Sequence, residues 1–189
     1  DGQHSGSMKW VGGIAYYFRP TINIRSGKTV KEFIEKTYNG YAKIENTRKL
    51  NVVFDYLVLA ELQDFIEFKL ISIFVLLENL KDTFAKSEGI PFIKGSFRKI
   101  NSKSKKAKYT FEELLNLMFA KVSMTKNLKP IIQLRNEIIH SGLSQLPYDQ
   151  QSKIYEEIFD ILQEYLLRCM GYKGNFLVYS TRGDHQATI

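Results

Sequence analysis

Nothing constrains this chain more than the stretch from Asn51 to Ala85, which holds neither glycine nor proline. Leu59, Leu62, Ile66, Ile73, Leu77, Leu80 and Phe84 recur in it at the spacing that lines up one face of an α-helix. A long central helix is expected, closed by Gly89-Ile90-Pro91. Its apolar content exceeds a single stripe, which implies burial on more than one face, by other helices and by a second subunit. The nearly apolar run Leu70-Ile71-Ser72-Ile73-Phe74-Val75-Leu76-Leu77 is bounded by Lys69 and Glu78. It is far short of the roughly 20 residues that cross a bilayer, so it reads as core and not as a membrane anchor.

Local punctuation places the remaining elements. Thr110 followed by Glu113 is a capping box, and Phe111, Leu114, Leu115, Met118, Phe119 and Val122 form the inward stripe of the helix it starts. Pro130 suits the first turn of a helix that runs through Ile132, Leu134 and Ile138 to His140 and stops at Gly142. Pro147 opens the last helix, whose period is kept by Ile154, Ile158, Ile161, Leu162, Tyr165 and Leu166 until Gly171. Upstream, Thr29 and Glu32 suggest a short helix through Glu35, stopped near Asn39-Gly40. Residues 9–28 read as an extended arm, with Thr21-Ile22-Asn23-Ile24 alternating like a strand.

The expected fold class is therefore all-α: an up-and-down helical bundle with one long central helix and a short extended N-terminal arm. Residues 1–7 read as a cloning scar ahead of Met8. Residues 8–50 form the arm and short helix, as the tail of a preceding domain; 51–175 form the helical domain, and 176–189 a C-terminal tail.

Composition narrows the partners. One cysteine, Cys169, allows no internal disulfide, and no Cys/His spacing suits zinc, so neither a metal nor another cofactor is expected and the reducing cytoplasm is the implied compartment. Cys169 sits in Leu166-Leu167-Arg168-Cys169-Met170 and reads as a buried core thiol. A net charge of +7 favours an anionic partner. Its densest concentration is residues 94–108, where Lys94, Arg98, Lys99, Lys103, Lys105, Lys106 and Lys108 occur with no acidic residue. This run is either a solvated loop or a phosphate-binding finger. Gly12-Gly13 lacks the setting and lysine of a phosphate loop, and Glu112-Glu113 and Glu156-Glu157 read as solvated helix faces.

One constellation carries chemistry. Leu134-Arg135-Asn136-Glu137-Ile138-Ile139-His140-Ser141-Gly142 stands in the penultimate helix. Tyr56-Leu57, Leu76-Leu77-Glu78-Asn79-Leu80-Lys81 and Met170-Gly171-Tyr172-Lys173-Gly174 accompany it. Together these stretches resemble the HEPN domains of ApeA-like bacterial proteins, a group associated with abortive infection, over roughly residues 50–175. The arginine, the polar residue after it and the histidine match the family's Arg-x4-6-His signature. The resemblance implies a HEPN-like bundle, a homodimer with its cleft at the interface, and cleavage of RNA. Where nucleotidyltransferase-paired toxins of this family carry a tyrosine two residues after the histidine, this chain has Gly142, so control by tyrosine adenylylation is not implied.

RNA supplies its own nucleophile, the 2′-hydroxyl, and needs only a group that exchanges protons near neutral pH and a cation for the phosphorane. His140 fits the first task and Arg135 the second, with Asn136 orienting imidazole or substrate. Lys103, Lys105, Lys106, Lys108 and Tyr109 are the candidates for guiding single-stranded RNA by charge and stacking. A single histidine serves as acid or base, so two copies related by a two-fold axis would complete the site. Two plainer readings stand beside this one. In the first, Arg135 pairs with Glu137 or another acid and His140 merely ends a helix; in the second, the domain is a non-catalytic dimerisation or nucleotide-binding module of a larger protein.

Overall fold

A computed structural model describes residues 8–11, 14–17, 19–25, 27–99, 107–181 and 185–189. Six helices dominate them, in the order α1 (Gly27–Arg48), α2 (Leu50–Leu62), α3 (Ile66–Ser87), α4 (Phe111–Ala120), α5 (Lys129–Ser141) and α6 (Tyr148–Cys169). The all-α expectation holds in this coarse sense. Three two-stranded antiparallel pairs join them: β1 (Met8–Val11) with β2 (Ile14–Tyr17), β3 (Phe92–Ile93) with β4 (Ser96–Phe97), and β5 (Asn175–Val178) with β6 (His185–Thr188). No helix among the described residues is long and apolar enough to cross a membrane.

The single helix expected over Asn51–Ala85 is in fact two. Gln63 and Phe65 are extended, at ψ 142° and 134°, and α3 folds back to pack on α2. No glycine or proline makes this break; side chains hold it. The Lys69 ammonium donates to the terminal α2 carbonyls of Ala60 and Glu61 at 3.4 and 3.2 Å, and the Gln63 amide donates to Leu59 O at 3.2 Å. These bonds satisfy acceptors that a helix end leaves without partners. Folding back buries Val53, Ala60, Ile66 and Leu70 in one core, which a straight rod would leave on separate faces.

The first helix is also longer than expected. It runs past Asn39-Gly40 to Arg48, because Gly40 is a contact point and not a stop. A Cβ there would lie 2.0 Å from the carbonyl oxygen of Met170, at the end of α6. One left-handed residue, Lys49 (φ 50°, ψ 50°), then turns α1 into α2.

The strand expected in the arm is corrected, and the arm packs with the C-terminal tail. Thr21–Ile24 is a series of bends and turns and not a strand, and in the C-terminal tail Asn175–Val178 pairs with His185–Thr188. The two are stitched to each other: Leu177 N donates to Thr21 O at 2.9 Å and the Tyr179 hydroxyl donates to Pro20 O at 2.6 Å. Asp160 on α6 accepts the Tyr179 and Ser180 amides, at 2.9 and 2.8 Å, which fixes the chain just after β5. Ile22 and Phe176 thereby join the common core.

The core centres on α3 and α6. Tyr165 is buried edge-to-face against Phe119, and its hydroxyl accepts from Arg48. Tyr155 is buried with its hydroxyl donating to Glu61 at 2.6 Å. Burial raises the pKa of both phenols well above the usual range. Cys169 lies half-buried beside Tyr165, and desolvation pushes its thiol up, which suits a core residue and not a nucleophile.

Candidate functional site

The motif helix is seated by the apolar triplet Ile131, Leu134 and Ile138, all buried. Pro130 stands in its first turn, and Asn127 Oδ1 accepts from Lys129 N at 3.2 Å. At the other end Gly142 adopts φ 74°, a left-handed cap, and its amide donates to Ile138 O at 2.8 Å. Both sequence-read limits of this helix are therefore local and correct.

Arg135, next to Leu134 on this helix, turns inward. Its Nη2 donates to Glu78 Oε1 on α3 at 2.5 Å, and its Nη1 donates to Asn136 Oδ1 at 2.9 Å. The guanidinium carbon stands 4.6 Å from the centre of the Phe111 ring. Its Nε is enclosed and has no acceptor among the described residues. The second oxygen of Glu78 accepts from Lys81 at 2.5 Å, and the Lys81 ammonium also lies over Phe111, at 5.5 Å. One carboxylate thus serves two cations and leaves one positive charge uncompensated within the cluster.

Phe111 is held in place by the capping box below it. Glu113 N donates to the Thr110 hydroxyl at 3.1 Å, and Thr110 N donates back to Glu113 Oε2 at 2.8 Å. Glu113 also pairs with Lys99, whose hydrogen bond holds its carboxyl below the usual carboxylate range. Lys99 in turn lies 5.3 Å over the Tyr109 ring.

Beside this cluster opens a cleft of about 570 Å³ with mixed polar and apolar walls, bounded by Glu78, Lys81, Asp82, Phe97, Tyr109 and Phe111. Tyr109, chosen from sequence as a stacking residue, is therefore on its wall. Lys108 is exposed, and its backbone forms an isolated antiparallel bridge with Arg98. Lys103, Lys105 and Lys106 lie outside the described residues.

His140 is apart from the arginine. The two are five residues apart on one helix, about 140° around it and ~7.5 Å along it. His140 is exposed, and no hydrogen bond joins it to Arg135 among the described residues. Its neighbours Ile139 and Leu143 are exposed apolar side chains, at 46% and 63%.

Of the plain pairings expected for Arg135, the one with Glu137 does not form and the one with another acid does. Glu137 instead accepts from the Ser144 hydroxyl at 3.1 Å, and Arg135 reaches Glu78, far away in sequence. Glu78, Lys81 and Phe111 are the members that sequence reading missed as a cluster. The only local sign of the first two was their three-residue spacing on a helix, and Phe111 was read solely as core.

Among the described residues no cluster of His, Cys, Asp and Glu is arranged to hold a metal ion. In comparisons with known proteins, no family model matches the chain, and neither a curated protein nor a solved structure does so.

Proposed function

We propose that this chain is a HEPN-type endoribonuclease that cuts single-stranded RNA as a homodimer, in abortive-infection defence against phage. The observation that carries the reading is the Arg135 cluster: a guanidinium fixed over Phe111 and on Glu78, whose carboxylate also takes Lys81, beside an open cleft that Glu78, Lys81 and Phe111 line. Such a group supplies the cation that a phosphodiester needs once the guanidinium turns from Glu78 towards the cleft. The exposed His140 presents its imidazole to solvent, and the apolar residues flanking it offer a surface for the two-fold partner.

In the reaction, His140 of one protomer removes the proton of the 2′-hydroxyl, and the 2′-oxygen attacks phosphorus. The bond to the 5′-oxygen breaks, and the leaving oxygen takes a proton from His140 of the other protomer, then in its imidazolium form. The products are a 2′,3′-cyclic phosphate and a free 5′-hydroxyl. Arg135 and Asn136 hold the non-bridging oxygens, and Tyr109 with the lysines 103, 105, 106 and 108 leads the strand in. The chemistry requires no metal, because nucleophile, proton carrier and cation are all supplied.

The test is degradation of single-stranded RNA by purified protein in EDTA, with His140→Ala as the comparison. A loss on the order of 10³-fold is expected, with the circular dichroism unchanged. Equal activity in the variant rejects the assignment.

A second reading has its own support. Arg135 is already engaged by Glu78, Asn136 and Phe111 within one chain, as a structural arginine would be. On that reading the domain is a non-catalytic dimerisation or nucleotide-binding module, and RNA stays intact through long incubation.

A further inference from the structure

A second hollow, far more apolar than the cleft, lies among α1, α2 and α6. It has a volume of about 390 Å³, and Phe33, Phe54, Leu57 and Leu166 form its walls. That size falls within the range of small-molecule sites. Ile34, Tyr38 and Val58, at its mouth, are exposed by 54%, 63% and 36%. A shallower hollow shares Thr21, Phe33 and Ile34 with it and extends the apolar surface along α1.

Three polar residues decide what can enter. Arg19 and Glu61 face each other across 3.8 Å, and Arg19 also donates to Glu156 at 3.2 Å, so two carboxylates already surround the one guanidinium, whose Nη1 is enclosed with no acceptor among the described residues. An added carboxylate would meet Glu61 and an added ammonium would meet Arg19, each at a cost in a poorly solvated place. The third is Gln163, only 4% exposed, whose amide oxygen has no donor among the described residues. A buried acceptor left open in this way is destabilising until something donates to it. Of the hydroxyl-bearing wall residues, Thr37 already donates to Phe33 O at 2.8 Å and Tyr41 to Glu45 at 2.7 Å, while Tyr38 is at the mouth and Thr21 beside it.

We infer that this hollow binds an uncharged, largely apolar molecule bearing one hydroxyl group, with the hydroxyl on the Gln163 amide and the chain lying against Phe33, Phe54 and Leu57. A hydroxyl both donates and accepts, so it satisfies the amide in either orientation. The site is independent of the proposed nuclease chemistry.

The probe is 1-octanol, titrated calorimetrically into the intact chain, with sodium octanoate as the charged control. One saturable site per chain is expected, with octanoate at least about tenfold weaker. Gln163→Leu should weaken octanol about tenfold. Val58→Trp, made at the exposed mouth where folding is not at risk, should abolish binding. Absence of saturable binding to the unaltered protein overturns the inference, as does octanoate binding as well as octanol or full affinity in Val58→Trp. Should Gln163→Leu fail to fold by circular dichroism, Val58→Trp and the octanoate control decide alone.

Discussion

Two arginines in this molecule are built from the same parts and end in opposite situations. Arg19 packs near the rings of Tyr155 and Tyr179, at 6.0 and 5.3 Å, and pairs with Glu61 and Glu156. Arg135 packs on Phe111 and pairs with Glu78. Around Arg19 two carboxylates answer the cation, and Glu61 is 6% exposed and takes a further bond from Tyr155. Around Arg135 one carboxylate answers two cations, and Glu78 is 37% exposed beside an open cleft. An arginine–glutamate pair on an aromatic ring therefore says little by itself. The arginines themselves are exposed alike, at 22% and 20%, and charge balance with the exposure of the carboxylate partner separates a brace from a site.

The contrast can be broken most forcefully with alkali. Tyr155, in the closed cluster, and Tyr165 have folded-state pKa values raised by burial above the ordinary value of 10.0. Each phenol keeps its proton when folded and loses it when unfolded above pH 10, so its stabilisation is complete below that pH and is lost as pH rises beyond it. The slope is about 1.4 kcal/mol per pH unit for each tyrosine. Absorbance at 295 nm should show these two phenols ionising only together with loss of helical circular dichroism; early, independent ionisation would mean the closed cluster is open to water.

The next largest effect is expected for Glu61→Ala, which strands Arg19 and the Tyr155 hydroxyl. Denaturant unfolding should show a loss of about 3 kcal/mol, with RNA cleavage unchanged at temperatures where the protein is folded. Smallest is Arg135→Lys, which keeps the charge but loses the fork. Cleavage should fall about tenfold, with stability changed by less than about 1 kcal/mol. A stability loss as large as that of Glu61→Ala would make Arg135 a second brace and favour the non-catalytic reading.

What the sequence disclosed was local. Thr110 with Glu113, Pro130, Gly142, Pro147 and Gly171 each act within a turn of the chain, and each sits where its chemistry predicts. What it hid was settled at long range. The break at Gln63-Asp64-Phe65 is held by Lys69 and reinforced by Tyr155 on α6, and no residue within the break announces it. Asn39-Gly40 carries the usual signature of a helix end, yet its meaning comes from Met170. For the candidate site, the motif residues were legible because their spacing is fixed by one helix. The Glu78 partner was not, because Glu137, two residues from Arg135, was the nearer acid and the fold alone chose between them.

Gly40 has one more effect. Helices usually meet through side chains, and their separation then drifts as rotamers adjust. Here α1 rests on the backbone of Met170 with no side chain between, and this contact lies beside the wall residues Thr37, Tyr38 and Tyr41. It acts as a mechanical stop: the gap between α1 and α6 has a least width set by peptide atoms. Replacing hydrogen with even a methyl group at this one position would pry α1 outward and change the bore of the entire chamber, though the substituted atom never enters it.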